Sequence, residues 1–452
     1  MGRVALVAVD SGLTVVGSRG NVSAPSPGLA LIDGDVLLVG QEAQKNARLR
    51  PRRVHSRFWQ FLSTQGLKRP FPHHLRTADL VHAHLSDIWR NAGGDTDEAI
   101  LVVPGVYTKE QLSLLLGIAG AADIPVGGLV DLGVAAAADR DIRGRCFHLD
   151  LHLHRAVLTE IENGKDVVRG RVWENNAVGL AGLHDLWART VARLFVRQTR
   201  FDPLHVAATE QDLYLGLPGH IEALTELETT RISIETGGRQ HGIDVERREI
   251  VNVTRDTITL ISAWVGNVAD LEDSTLLLSH HMALVPGLVN HLRETTDCEI
   301  AVLHPAAAGS AALSHAKDII THAGALPFVT RLPGYDARPP GPVTVPVTPP
   351  AGTASEIGGP THLVVDGVAQ PITEEPTIIP LGETPTSESI LAGSHPPVTI
   401  RRVGSTVIVE APPEVAVVVN GQTVESSAAL ATGDRLQLGE PPREVILVTM
   451  VS

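Results

Sequence analysis

Cysteine, basic residues and long apolar runs are all scarce in this sequence of 452 residues. Its two cysteines, Cys146 and Cys298, are too few for a disulfide scaffold, which favours a reducing cytoplasm as the location. The formal net charge of −14 argues against a nucleic-acid-binding protein, because such proteins usually carry a basic face. No apolar run reaches membrane-spanning length and the N-terminus lacks a signal-type segment, so we expect no membrane insertion.

Length and proline usage predict more than one folded region. A chain of this length is too long for one hydrophobic core and fits two or three domains. Residues 332–360 are rich in proline, which removes backbone donors and favours extended conformations, so this segment is predicted to be a semi-rigid linker. We therefore expect a large domain over residues 1–331 and a smaller module over residues 361–452.

Short apolar runs alternate with helical spacing throughout the large region. The runs that predict strands are residues 4–9, 29–32, 36–39, 100–103 and 146–153. The spacing that predicts helices occurs at Leu80, His84 and Ile88, and again at Leu183, Leu186, Trp187, Val191, Leu194 and Phe195. The strands exclude a helical bundle and the helices exclude a sandwich, so the predicted fold class is α/β.

The first predicted strand ends in the pattern Asp-x-Gly-x-Thr, at Asp10, Gly12 and Thr14. A carboxylate, close backbone amides and a hydroxyl in this order suit the binding of a metal-bound phosphate. A strand-to-turn junction also uses Asp-x-Gly for turn geometry alone. Both interpretations remain open at this point.

Several short segments, in their order and spacing, resemble the actin-like ATPases, and within them the DnaK-type heat-shock chaperones. The segments are Asp10-Ser11-Gly12-Leu13-Thr14, residues 27–35 and 39–43, residues 100–107 with Gln111, and Asp131 followed by Ala135-Ala136-Ala137. The resemblance covers roughly residues 1–325 and implies a two-lobed fold around a cleft for ATP and Mg²⁺. It implies nucleotide binding by Asp10, Gly12 and Thr14 and, in an active ATPase, catalytic roles for Asp10, Asp131 and Asp150.

Two of the family's glycine-rich segments contain histidine here. The family's second phosphate loop, Asp-Leu-Gly-Gly-Gly-Thr, corresponds to residues 148–155, which contain no glycine, and its adenosine-binding Gly-Gly corresponds to His280-His281. Side chains on such turns would occupy the space that phosphate oxygens need. The region of the catalytic lysine contains Arg57 and no lysine, and a guanidinium fork is a poor substitute for a compact ammonium. We therefore expect a pseudo-ATPase.

The same histidines have a second interpretation, as metal ligands. The side chains concerned are His148, Asp150, His152 and His154, with His280 and His281 as further ligands. If residues 148–154 form one strand, the first four lie on one face, where they could bind Zn²⁺ or a similar ion. Alternate strand residues are about 6.5–7 Å apart, which is awkward for ligands of one tetrahedral ion. We prefer the interpretation that these side chains pack and hydrogen-bond inside a cleft without phosphate.

The region after the linker consists of short β-rich runs separated by turns, which predicts an all-β sandwich. The runs are residues 361–366, 377–381, 398–402, 406–410, 415–419 and 445–451. Residues 419–424 and 430–439 resemble the C-terminal half of forkhead-associated domains, which bind phosphothreonine through an arginine after a glycine and a Ser-x-x-His segment. Here Gly382 precedes Glu383, and Ser394 is followed three residues later by Pro397. Because a carboxylate repels phosphate, we expect this module to bind an unmodified protein surface.

Together these features favour a non-catalytic protein-interaction or scaffold protein whose partners are other proteins. The first alternative is a divergent Mg-ATP-binding ATPase or chaperone-like protein that uses Asp10, Thr14, Asp131 and Asp150 with Mg²⁺. The second alternative is a metal-binding protein centred on residues 148–154. A peptide-clamping chaperone is disfavoured, because the proline-rich segment stands in place of the apolar linker and peptide-binding sandwich of that family.

Overall fold

The computed structural model describes most of the first 334 residues and the strands of the C-terminal region. The described residues are 2–18, 20–92, 96–142, 144–322, 325–334, 362–365, 368–372, 377–379, 398–403, 406–410, 417–419, 422–424, 427–430, 435–438 and 443–448. The chain divides into two compact units, Met1–Val343 and Thr344–Ser452. Most of the predicted linker, 332–360, lies outside the described residues. Within the described ranges, no helix is long and apolar enough to cross a membrane.

The first unit is mixed α/β, as its sequence predicts. Its strands are β1 (Arg3–Val7), β2 (Thr14–Gly17), β3 (Ala30–Asp33), β4 (Val36–Val39), β5 (Val54–His55), β6 (Glu98–Val103), β7 (Val126–Asp131), β8 (Gly144–Leu151), β9 (Ala156–Asn163), β10 (Asp166–Asn175), β11 (Thr229–Thr236), β12 (Arg239–Glu246), β13 (Thr275–Leu278), β14 (Glu299–Val302), β15 (Phe328–Val329) and β16 (Arg331–Pro333). Its helices are α1 (Gly40–Gln44), α2 (Thr77–Ala92), α3 (Lys109–Ala121), α4 (Leu132–Ala138), α5 (Leu180–Thr199), α6 (Ala207–Glu226), α7 (Arg247–Val268), α8 (His280–Ala283), α9 (Leu288–Thr295), α10 (Ala307–Ser314) and α11 (Ala316–Ile319), with a 3-10 turn at Pro51–Arg53.

Strand β1 lies inside a five-stranded sheet with the order β15-β7-β6-β1-β2. It pairs antiparallel with β2 and parallel with β6, which in turn pairs parallel with β7. Successive β1 side chains enter two different cores: Val4 and Leu6 pack with α2 and α3, whereas Ala5 and Val7 pack with α4. A strand with both faces covered needs apolar residues at every position, which explains the unbroken apolar run at the start of the sequence.

A six-stranded sheet repeats this arrangement, with the order β14-β13-β8-β9-β10-β16. Strand β8 pairs antiparallel with β9 and parallel with β13, which pairs parallel with β14. The order β9-β8-β13-β14 therefore corresponds to β2-β1-β6-β7 in the first sheet. As a result, the turn after β1 and the turn after β8 occupy corresponding positions in the two sheets.

Helix α5 fixes one wall of the region around these turns. Its buried positions include Leu183, Trp187, Val191 and Phe195, whose spacing of four residues confirms the helix that the sequence predicts. They belong to a core that also contains residues of α6, α7 and β8. This packing places the N-terminal end of α5 directly against the turn after β8, where Leu180 N donates to His152 O at 3.0 Å.

The described part of the second unit contains strands only. They are β17 (His362–Val365), β18 (Val368–Pro371), β19 (Thr377–Ile379), β20 (Val398–Val403), β21 (Thr406–Glu410), β22 (Val417–Val419), β23 (Gln422–Thr423), β24 (Ser427–Leu430), β25 (Arg435–Leu438) and β26 (Arg443–Val448). They form two sheets, β18-β17-β26-β25-β22-β23 and β19-β20-β21-β24, and every described pairing is antiparallel. One hydrophobic core contains residues of both sheets, among them Leu363 and Ile400. Gly382, Glu383, Ser394 and Pro397 lie outside the described residues.

Candidate functional site

The turn after β1 holds Asp10 in a buried position. Gly12 N donates to Val9 O at 3.0 Å, which closes the turn, and Gly28 N donates to Asp10 O at 2.8 Å. A Cβ at Gly12 would lie 2.9 Å from Pro25 Cβ and 3.4 Å from a ring nitrogen of His281, so only glycine fits here without displacement. The Asp10 side chain is thereby aimed into the interior, where the residue is 3% exposed.

The turn after β8 is residues 152–155, and it corrects the single-strand interpretation of the histidines. Strand β8 ends at Leu151, so two-residue alternation relates only His148 and Asp150, whereas His152 and His154 lie in the turn. The turn closes through a hydrogen bond from His152 N to Arg155 O at 2.8 Å. A Cβ at Gly179 would lie 2.5 Å from His154 Cα, so this glycine permits the close approach of α5 to the turn.

The two turns meet, and a histidine lies between two carboxylates at their junction. Leu153 N donates to Asp10 Oδ1 at 2.8 Å. His152 Nδ1 lies 3.3 Å from Asp10 Oδ1, and its Nε2 lies 3.4 Å from Asp150 Oδ2. The histidine and both carboxylates are at most 3% exposed. Among the described residues, neither Asp150 Oδ2 nor His152 Nε2 has a hydrogen-bond partner of good geometry.

Both carboxyl groups at this junction have lowered pKa values. Burial raises the pKa of Asp10, but the His152 imidazole and the Leu153 N–H outweigh burial, so the pKa lies below its usual range. Burial likewise raises the pKa of Asp150, and the imidazoles of His152 and His148 outweigh it. Two ionised carboxylates are therefore held at the junction by neighbouring histidines.

A cavity of about 610 Å³ lies beside the junction and contains several of the predicted site residues. Gly12, Thr14, His148 and Asp150 line it, and so do the replaced pair His280-His281. Ser11 Oγ is 3.3 Å from His281 Nδ1, so this imidazole covers the turn after β1. The turn amides that a phosphate would approach are thus close to the protein's own side chains.

Four histidines of the cavity lining have lowered pKa values and are neutral at pH 7. Burial lowers the pKa of His148, His280 and His281, and it lowers the pKa of His184 to about 4. Neutral imidazoles offer one N–H donor and one nitrogen acceptor each, but no positive charge. These four histidines therefore add no positive charge to the cavity wall.

Asp131 is not part of this cavity lining. It caps the N-terminus of α4, where its Oδ1 accepts from Gly133 N at 2.9 Å and Val134 N at 3.1 Å. Its Oδ2 pairs with Arg169 NH1 at 3.1 Å. Burial raises the pKa of this carboxyl even though the Arg169 guanidinium opposes the shift. The structure thus gives Asp131 a helix-capping role and separates it from the cavity that Asp150 lines.

His154 and Arg57 belong to the opposite side of the junction. His154 Nε2 is 2.8 Å from Ser56 Oγ, and burial, with the Arg57 charge in addition, lowers the pKa of His154 to about 4. A second pocket of about 700 Å³ is lined by Arg57 and Arg155. A chain of hydrogen bonds joins these two guanidinium groups through Gln60, Asn176 and Glu174.

The described residues contain no group of three or more His, Cys, Asp or Glu side chains arranged to hold a metal ion. The imidazole of His152 instead occupies the space between the carboxylates of Asp10 and Asp150. The residues present do not fit ATP with Mg²⁺, because His152 lies between the two carboxylates that would hold the metal ion and His281 covers the turn after β1. Cys146 and Cys298 are buried and unpaired, as expected for small apolar residues.

Three further residues of the cavity lining were not predicted from the sequence. His184 lies on α5, Glu222 on α6 and His304 after β14, and all three line the cavity. The only available signal was a polar residue next to apolar positions of a helix, as for His184 beside Leu183. No protein-family model matches the chain, and no curated protein matches it.

Proposed function

We propose that residues 1–331 have a two-lobed actin-like ATPase fold with a degenerate nucleotide site, and that the protein is a non-catalytic interaction or scaffold protein. Residues 361–452, as a forkhead-associated-like module, would supply a second contact with protein partners. The repeated strand order, β2-β1-β6-β7 and β9-β8-β13-β14, supports the fold because an internal duplication generates two lobes. The contact between the two equivalent turns, at Asp10 and Leu153, supports a shared cleft.

The position of His152 carries the non-catalytic part of the proposal. Divalent cations in phosphate-transferring sites are held by carboxylates and by the phosphates themselves. Here the His152 imidazole lies 3.3 Å from Asp10 and 3.4 Å from Asp150, so it occupies the space between the two carboxylates that would hold a metal ion. Mg²⁺ could reach them only if His152 moved, which would leave two buried ionised carboxylates uncompensated until the metal arrived.

Isothermal titration with Mg-ATP tests this proposal directly. We expect no heat of binding at millimolar nucleotide and no release of inorganic phosphate over hours of incubation. Apo protein treated with a chelator is the control for metal carried through purification. A dissociation constant in the micromolar range would refute the proposal, because such affinity requires productive phosphate contacts.

Helix α5 offers a surface suited to a protein partner. Val196 is 41% exposed and lies between Arg193 and Arg197 on the outer face of the helix. Arginine beside apolar area is typical of interface hot spots. A photoreactive residue at position 196 is expected to give discrete cross-linked protein adducts in cells, whereas the same residue at exposed Leu260 serves as the matched control. Equal cross-linking at both positions would contradict a specific surface at α5.

A divergent Mg-ATP-binding ATPase is the second candidate. It is favoured by one observation, that Gly12, Thr14 and Asp150 line a single cavity of about 610 Å³, a size suited to small ligands. If this candidate is correct, Asp150→Asn should abolish both Mg-ATP heat and hydrolysis. Asp131→Asn should then leave nucleotide binding intact, because Asp131 caps α4 and is not among the cavity residues.

A further inference from the structure

The cavity beside the two turns has the size and walls of a small-molecule site. Its volume is about 610 Å³, within the range of known ligand pockets. Apolar and aromatic side chains form much of the wall: Leu180, Trp187, Leu215, Ile221, Leu284 and Leu303. Imidazole rings of His184, His280 and His281 add flat surfaces against which an aromatic ring can stack.

The charges around the cavity oppose an anionic ligand. Three lining residues are formally charged, namely Lys45, Asp150 and Glu222, and no arginine is among the lining residues. Lys45 Nζ is already paired with Glu42 Oε1 at 2.7 Å. Burial lowers the pKa of four lining histidines, His148, His184, His280 and His281, so these four are neutral at pH 7. The wall therefore carries net negative charge, which a polyphosphate would have to approach without compensating cations.

One atom of the wall needs a hydrogen-bond donor. Asp150 is 3% exposed and lines the cavity, and its Oδ2 lies 3.4 Å from His152 Nε2 without the geometry of a hydrogen bond. A buried carboxylate oxygen that lacks a well-aligned donor costs free energy that a better donor can restore, and the gain is largest for a charged donor. Glu222, which also lines the cavity and is exposed, again favours a positive group.

We propose that this cavity binds a small aromatic molecule that carries an N–H donor or an ammonium group, and that it rejects anions. The ligand site goes beyond the interaction role proposed above and does not depend on the identity of any protein partner. The ring lies against the apolar wall and the histidine rings, and the donor group faces Asp150.

Three indoles whose C3 substituents carry a positive charge, no charge or a negative charge test the proposal. The probes are tryptamine, which is a cation, 3-methylindole, which is neutral, and indole-3-acetate, which is an anion. By isothermal titration at pH 7 with the full chain, we expect tryptamine to bind at least about tenfold more tightly than 3-methylindole. We expect indole-3-acetate to give no heat. Equal or tighter binding of indole-3-acetate would overturn the proposal, and so would the absence of heat from all three probes at millimolar concentration.

Variants of single residues identify the groups that cause the preference for a cationic ligand. Asp150→Asn and Glu222→Gln should each reduce the preference for tryptamine over 3-methylindole, whereas Glu226→Gln, one turn along α6 and outside the lining, should not. If Asp150→Asn fails to fold, Glu222→Gln still decides the charge argument, because Glu222 is exposed. Ala308→Phe fills the cavity and should abolish binding of 3-methylindole. Unchanged binding by Ala308→Phe, or unchanged preference in both charge variants, would refute the site.

Discussion

Replacing His152 by alanine removes the imidazole between two buried carboxylates, Asp10 and Asp150, and should destabilise the first unit strongly. Removal of one partner from a buried charged group costs about 3–5 kcal/mol, because the other charge is left uncompensated. Here the Nε2 contact with Asp150 lacks good hydrogen-bond geometry, while the Leu153 N–H remains on Asp10. We therefore expect a loss near the lower end, about 3 kcal/mol in the free energy of unfolding at pH 7.5.

The loss of unfolding free energy in His152→Ala should grow as the pH rises. In the wild-type chain the pKa of Asp10 is lowered, so its contribution is fully present above the unfolded-state pKa of about 4 and is constant from pH 5 to pH 8. In the variant, burial dominates and raises that pKa. A raised carboxyl pKa gives stability below the unfolded-state pKa that is lost as the pH rises through the folded-state value. The difference between wild type and variant should therefore widen from pH 5 to pH 8.

Urea unfolding followed by tryptophan fluorescence measures the free-energy difference between wild type and variant for the first unit of the chain. All five tryptophans, at positions 59, 89, 173, 187 and 264, belong to the first unit, so the signal reports on it alone. His74→Ala, at an exposed position, is the matched control and should change the free energy of unfolding by less than about 0.5 kcal/mol. A loss below about 1 kcal/mol for His152→Ala, or a difference that narrows as the pH rises, would refute the compensating role of His152.

The other predictions concern Asp131, metal content and the second unit. Arg169→Met should cost about 3 kcal/mol in urea unfolding, because it leaves the fully buried Asp131 without its only charged partner among the described residues. Arg171→Met, whose pair with Glu160 is exposed, should cost less than about 1 kcal/mol. Equal losses would contradict this. Elemental analysis should find no stoichiometric metal; one zinc per chain, lost on changing His152 and His154 to alanine, would favour the metal-binding alternative. A phosphothreonine peptide array should show no phosphate-dependent binding, and binding that vanishes in Arg401→Ala or Arg402→Ala would show the opposite.

The regular elements could be predicted from sequence because their burial follows simple periods. The run at residues 4–9 is apolar throughout because β1 is covered on both faces, and α5 shows apolar residues every four positions because one face enters a core. In the second unit, the runs at 398–402 and 406–410 correspond to β20 and β21. These patterns are local, so no knowledge of distant residues was needed.

The site could be predicted only in part, because its contacts join residues far apart in the chain. Asp10 follows a strand of one sheet and His152 follows a strand of the other, and their contact forms only because β8 ends at Leu151. The sequence interpretation continues the strand through His154 and so assigns His152 to the strand instead of the turn. No local feature of the sequence marks Leu151 as the last strand residue. Glu222 and His184 enter the cavity through the packing of α6 and α5, and the spacing of a helix does not reveal which polar residue faces a cleft.

Asp10 has a structural task whether or not any metal binds. Its Oδ1 accepts a hydrogen bond from Leu153 N and lies near His152 Nδ1, and its backbone oxygen accepts from Gly28 N, so one residue connects the turn after β8 to two segments of the first sheet region. A buried carboxylate in such a position is stable only with donors around it, and histidine supplies them without adding the cations that polyphosphates require. The carboxylates and the histidines therefore depend on each other, and the presence of Asp10 in its turn is not by itself evidence for nucleotide binding.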